Sequence, residues 1–261
     1  MKMFFKRAKK GSMQVDYAIA LSLFIIVFSL LMSSSLKFVL PAKEISERSI
    51  MYQNLIDITN YITEDKGIFY NETNTIYMMI PIYYVFLNTT SSQERNASFS
   101  IYFPADIDES SIRVYNLSFS EVPSNLTSWN GTYANVTIQV NGHQNFLIFA
   151  TTKSFTTPNY GIDMSDINNT GVSYDMTNYT FSEAIDLDKF SKFNQSNYNK
   201  TKEFLGLKHF LITIIGNDGN EKARFGQNPY PTANIYAISK PILYLNSTGS
   251  LNEGSLSVKI W

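Results

Sequence analysis

The chain has 261 residues, 44% of them hydrophobic and 16% charged, with a formal net charge of -1 and no cysteine. That length can bury a sizeable core, as one large or two small modules. The absence of thiols excludes a disulfide framework and thiolate chemistry, and the near-neutral charge argues against a nucleic-acid-coating surface, which needs a basic stripe.

The first ten residues, MKMFFKRAKK, are basic and lead through Gly11-Ser12 into an apolar run over 18–31. Residues 15–40 are long enough for the roughly 20 residues that a hydrocarbon core requires, with Lys37 at the far interface. Lys2, Lys6, Arg7, Lys9 and Lys10 precede the run with no acidic residue among them. By the positive-inside rule this predicts a single-pass cell-membrane protein with a cytoplasmic N-terminus and the remaining chain outside. No small-residue cleavage site follows the apolar run, unlike a secretory signal. Asp16 sits at its mouth, where a charge costs about 3 kcal/mol or more unless it is paired.

Basic pair, Gly, acid five residues later and an uncleaved apolar helix together resemble the class III signal of archaeal type IV pilin-like proteins. The resemblance covers roughly residues 6–40. It implies cleavage by a prepilin peptidase between Gly11 and Ser12, and pairing of Asp16 with the new Ser12 amine of a neighbouring subunit. It also implies partnership with other pilin-like subunits in a homo- or hetero-oligomeric filament, served indirectly by an assembly ATPase and a platform protein. Two details depart from the common pattern: Gln14 stands two positions late, and Asp replaces the commoner Glu. Removing residues 1–11 takes away five positive charges and no negative ones, moving the net charge from -1 to -6.

Pro41 marks a bend or kink. Residues 42–62 read as an amphipathic helix, with Ile45, Tyr52, Leu55, Ile58 or Thr59, and Ile62 on one face and Lys43, Glu44, Glu47 and Arg48 on the other. From Gly67 the pattern turns to β. Residues 76–87 are apolar throughout, and Pro81 is expected to break that run or place it at an edge. Short strands are predicted over 98–103, 112–119, 133–140 and 145–151. Residues 152–205 are polar and irregular, with a short helix over 182–193. Strands return at 209–215 and 222–225 around the turn Asn217-Asp218-Gly219-Asn220, whose Asp-Gly supplies the positive φ of a tight hairpin. Runs at 233–245 and 256–261 close the chain and are similar to the tails of archaeal pilin-like surface proteins.

Twelve N-x-[ST] sequons occur: Asn71, Asn88, Asn96, Asn116, Asn125, Asn130, Asn135, Asn168, Asn178, Asn194, Asn199 and Asn246. This is an excess over the roughly five expected by chance and points to an N-glycosylated surface. None lies within 202–245, which marks that stretch as buried or packed.

Catalytic patterns are missing. His143 and His209 stand apart from other ligand-type residues, the first in an expected turn and the second at the head of a strand. No GxSxG, phosphate loop or dinucleotide fingerprint occurs. The acidic groups Asp106, Asp108 and Glu109, then Asp163 and Asp166, then Glu183, Asp186 and Asp188 lack calcium-loop spacing and read as solvated loops. The 17 Tyr and 19 Phe alternate within strand-like segments, which assigns most of them to a core and leaves Trp129 as the exposed exception.

The expectation is an α+β fold. A leader (1–11), a transmembrane and assembly helix (12–40) and an amphipathic extension (41–66) carry an antiparallel β-rich, sandwich-like extracellular head (67–261). The expected function is non-enzymatic, without cofactor, metal or clear nucleic-acid partner: a minor or tip subunit of an archaeal type IV pilus-like cell-surface filament. The alternative is a single-pass, membrane-anchored, glycosylated adhesin or solute-binding protein that does not polymerise.

Overall fold

The structure is a computed structural model. It describes the backbone of residues 4–64, 68–71, 74–104, 106–161, 163–194 and 198–261, and their side chains except those of 4–16, 18–19, 35–43, 68–71 and 74–75. The chain divides into two compact units, Met1–Gln53 and Asn54–Trp261. Helix α1 is Phe4–Thr63. Its last turns belong to the second unit, where Leu55, Ile58, Thr59 and Ile62 are buried at the predicted helical spacing. There Tyr61 meets the ring of Phe204, and the Lys240 ammonium donates to Thr63 Oγ1 at 2.8 Å.

The second unit is β-rich. β1 (Ile68–Asn71) and β2 (Asn74–Ile76) form a small antiparallel pair. The long β3 (Met79–Tyr102) follows, then β4 (Arg113–Asn116), β5 (Ser124–Trp129), β6 (Tyr133–Thr151), β7 (Val172–Met176) and β8 (Thr180–Asp186). Helices α2 (Leu187–Asn194) and α3 (Tyr198–Phe204) precede β9 (Phe210–Gly216), β10 (Glu221–Gly226), β11 (Tyr236–Leu245) and β12 (Leu251–Ile260). All but the first two strands join one ten-stranded sheet in the order β10-β9-β12-β11-β8-β3-β6-β4, with β5 also on β6 and β7 also on β3.

Alternation explains the faces. Val85, Leu87, Ala97, Phe99 and Ile101 of β3, with Phe103 just beyond it, share a core with Ala134, Val136, Ile138, Phe146, Ile148 and Ala150 of β6. Ile80 and Ile82 point to the opposite face with Leu147, Phe149, Ala184, Leu245 and Leu251. At the other end, Phe190 of α2 meets Phe193, Phe193 meets Phe225 edge-on with centroids 4.4 Å apart, and Tyr198 of α3 stacks on Phe210. β9 pairs with strands on both sides and is buried at five successive positions, so side chains on both of its faces are covered.

Several expectations are corrected here. The ten-stranded sheet is mixed, not purely antiparallel: Tyr244 and Leu245 pair in parallel with Ile185 and Asp186, and α2, α3, β9 and β10 supply the long crossover that a parallel pair needs. Among the described residues, no helix is long and apolar enough to cross a membrane. The described side chains of the apolar run end at Ser34, and from Glu44 the helix is rich in charge, so a long apolar helix carrying a head does not describe this fold. The single-pass anchor, with its cytoplasmic N-terminus and extracellular head, is therefore not retained.

Pro81 neither breaks β3 nor lies at an edge strand. It pairs with Glu183 on one side and stands one residue beyond the last rung to β6, Ile82–Thr151, where Thr151 Oγ1 donates to its carbonyl. The predicted helix over 182–193 is strand β8 as far as Asp186 and helix α2 thereafter. The Asp218-Gly219 turn joins β9 to β10, with Gly219 at φ +75°.

Gly226 has φ +118°, and a Cβ there would stand 2.3 Å from the Phe210 carbonyl oxygen. Gly226→Ala is expected to cost at least about 2 kcal/mol, from backbone strain and the clash together. At Gly219 a Cβ meets nothing within 4 Å, so Gly219→Ala carries the left-handed backbone term alone, about 1–2 kcal/mol. Thermal unfolding of the two variants separates these effects, and equal shifts would remove the steric argument.

Candidate functional site

Two exposed apolar surfaces stand out, one in each unit. In the first unit every described side chain from 20 to 34 is exposed, although ten of the positions from Leu21 to Met32 carry large apolar groups. Phe24 and Leu30 each show 65% of their surface, and Phe24 stacks on Phe28 one turn later at 5.9 Å. Ser22 and Ser29 are the only polar residues within Leu21–Met32, so no face of this segment is fit for water. A helix that is apolar all round belongs in a packed interior. Gly11, Ser12 and Asp16, the expected cleavage and pairing residues, lie outside the residues whose side chains are described.

In the second unit five rings touch in sequence: Phe181, Tyr83, Tyr179, Tyr102 and Tyr133, with centroids 5.3–5.8 Å apart. Register makes this strip, because Tyr83 pairs with Phe181 and Tyr102 with Tyr133 across neighbouring strands. Burial, then the charge of Asp106, raises the Tyr83 hydroxyl above the ordinary tyrosine range. Sequence reasoning placed the aromatics in the core and missed the strip. The signal was present: in Ala97 to Phe103 the odd residues are apolar and buried, which turns Tyr102 outward. Trp129, expected to be exposed, is instead half-buried against the core of β3 and β6.

Buried polar groups form two networks. Arg113 is 1% exposed. Its Nη1 donates to the carbonyls of Ser110 and Ile112, its Nη2 to those of Thr156 and Thr248, and its Nε lies 3.5 Å from Glu121 Oε1. Tyr160 and Ser250 donate to the same carboxylate, and Tyr115 Oη accepts from Leu251 N. Burial, then the hydrogen bond to Glu121, pushes the Tyr160 hydroxyl far up, which keeps it a donor. The network pins the irregular 152–161 segment and the β11–β12 turn to β4. In the second network Lys153 Nζ donates to Asp186 and Asp188 at 2.7–3.0 Å. Burial would lower the Lys153 ammonium, but these bonds outweigh it and hold it above its ordinary value.

The other predicted positions are dispersed. His143 is inside β6, not in a turn, and its Nδ1 faces Thr90 Oγ1 at 3.1 Å. His209 stacks on Trp261. Asp108 caps the 3-10 turn Glu109–Ser111 and binds the Ser110 and Ser154 hydroxyls, which lower its carboxyl below the usual range. Asp163 accepts from Ser165 N. Among the described residues, no group of three His, Asp or Glu side chains is arranged to hold a metal ion.

The sequons divide by geometry. At Asn116, Asn130, Asn168 and Asn246 the side-chain Oδ1 accepts the backbone N–H two residues on, so Nδ2, the atom that carries a glycan, takes no part in the turn. At Asn96 and Asn135 Nδ2 itself donates, to Asp163 O and Ser128 Oγ. Asn88, Asn125, Asn178, Asn194 and Asn199 are exposed, and the side chain of Asn71 lies outside those described. Glycopeptide mass spectrometry on native protein is expected to find Asn116, Asn130, Asn168 and Asn246 occupied well above Asn96 and Asn135. Bare asparagine throughout would reduce the sequon excess to composition.

Comparisons with known proteins give no match: no family, curated relative or solved structure resembles the chain.

Proposed function

We propose that this chain is a non-enzymatic structural subunit of a filament of the type IV pilus-like kind, whose apolar helical segment packs against copies of itself. The observation that supports this most is the exposure of ten large apolar side chains between Leu21 and Met32, in a unit distinct from the β-rich one, which has its own core. Each large apolar side chain that passes from half-exposed to covered contributes about 1 kcal/mol. Ten of them offset an association cost of about 4–15 kcal/mol, a balance that one or two exposed side chains could not reach. The leader's resemblance supplies the order of events. A prepilin peptidase cuts after Gly11, and the Ser12 ammonium then meets Asp16 of the adjoining subunit inside the bundle. The second unit would carry the glycans.

The test is the N-terminus of protein from its native source. Intact mass and N-terminal sequencing are expected to show loss of 11 residues, with Ser12 first. Protein that begins at Met1, or beyond the apolar run, contradicts processing of this kind.

A further inference from the structure

We propose that a cleft in the second unit binds a short uncharged saccharide. The cleft has a volume of about 310 Å³ and is lined by β5 along its whole length and by the stretches 109–112 and 157–160. That volume is at the lower end of the roughly 300–1,000 Å³ of small-molecule sites. Hydrogen bonds set its walls before any ligand enters. Arg113, which is buried and does not itself line the cleft, donates to the carbonyls of Ser110 and Ile112 in one stretch and of Thr156 beside the other. Tyr160 is held by its bond to Glu121. A wall fixed in this way lowers the ordering cost of binding. The site lies within the β-rich unit and does not depend on packing of the apolar helical segment.

The lining selects the ligand. Trp129, Tyr160 and Pro158 supply ring surface, and because the Tyr160 hydroxyl is engaged by Glu121, its ring is what remains for a ligand. Such surfaces cover the C–H face of a sugar ring. The polar part is rich in hydroxyls. Ser128 Oγ accepts from Asn135 Nδ2 and keeps its hydrogen to donate, while Thr127 Oγ1 donates to Asn135 O and keeps its lone pairs to accept. No other described residue engages the side chains of Ser124, Thr157 or Glu109, which also line the cleft. Donors and acceptors are therefore interspersed with rings, which matches a molecule that carries both on every face. An anion meets one carboxylate, Glu109, and no basic side chain. A cation only donates and leaves the hydroxyl hydrogens unmatched, and an apolar molecule strips water from all of them. An extended peptide added to β5 is disfavoured by the bulge between Leu126 and Ser128, which breaks the row of backbone groups along that strand. Two sources supply this chemistry: a free saccharide, and the glycan of the chain's own Asn125, whose sequon residues Asn125 and Thr127 both line the cleft.

Trp129 and Trp261 are the only two tryptophans, so full-length Trp261→Phe leaves Trp129 as the sole indole reporter. Made without glycosylation, it is titrated with glucose, mannose, galactose and N-acetylglucosamine as monomers and dimers. Tetramethylammonium chloride, sodium sulfate and capped tetra-alanine are the controls. A saturable change in Trp129 fluorescence is expected with at least one saccharide and with no control. Glu109→Gln and Thr157→Val, both at exposed side chains, are each expected to weaken binding by about fivefold, while circular dichroism and melting temperature stay those of the parent. Glycosylated protein from the native source then identifies the source of the sugar. With the Asn125 glycan seated in the cleft, Asn125→Gln shifts the Trp129 emission; with a free saccharide as ligand, the native protein titrates as the unglycosylated one does. Failure of every saccharide to saturate, together with native emission unchanged by Asn125→Gln, overturns the proposal. Saturation by tetramethylammonium, sulfate or the peptide also overturns it, as does saccharide binding that neither substitution at 109 or 157 weakens.

Discussion

Arg113→Ala is expected to lower the unfolding free energy by about 3–5 kcal/mol, because it leaves a partly buried carboxylate and several carbonyls without their donor. Glu121 would keep Tyr160 and Ser250 but lose its cation, and the carbonyls of Ser110, Ile112, Thr156 and Thr248 would face a void. Arg113→Lys retains the charge but cannot reproduce the planar fork, so it should recover only part of the loss. Urea unfolding of the full chain measures both, with Arg224→Ala as the control. Arg224 meets Glu221 at an exposed site, where a pair contributes about 1 kcal/mol at most. A loss below about 1 kcal/mol at Arg113 would mean that the 152–161 segment and the β11–β12 turn are held by something else.

The second large effect falls on the apolar segment. Changing Ile25 and Phe28 together to Asp places two carboxylates where 55% and 52% of apolar side chains were exposed. In the lone chain the change should be nearly neutral or improve solubility, since both positions already face water. In an assembly each carboxylate would be buried without a partner, at several kcal/mol apiece. Assembly is therefore expected to fall by at least about a hundredfold, from a shift of about 3 kcal/mol or more per subunit. Sedimentation velocity on parent and variant reads this directly, while circular dichroism checks that the second unit keeps its fold. A variant that assembles as the parent does would remove the segment from the contact.

How much of this was legible in the sequence depends on the range of the interaction. Local chemistry was readable. Leu55, Ile58 and Ile62 are buried at the spacing that marks a helix face, Asp218-Gly219 makes its hairpin, and Val136, Ile138 and Val140 point inward while Gln139 points out. Turn signals were read too literally. Asn141-Gly142 separates two predicted strands, but Gly142 takes φ +68° inside a continuous β6, and β3 takes up two extra residues opposite it between Ser91 and Arg95. The parallel pairing of β8 with β11 left no local trace, because it joins segments some 60 residues apart. The same holds for Arg113, a residue type that is rarely fully buried, whose partners come from four separate stretches of chain. For the candidate surfaces, the apolar run was plain in the sequence but its role was not. A run of this composition serves a bilayer or a helix bundle equally well.

The most direct test of the central claim is cryo-electron microscopy with helical reconstruction of the protein beginning at Ser12. The account predicts filaments in which residues 20–34 of neighbouring subunits line a shared central bundle. Particles that remain single under conditions where the β-rich unit is folded, or filaments in which residues 20–34 face solvent, would contradict it.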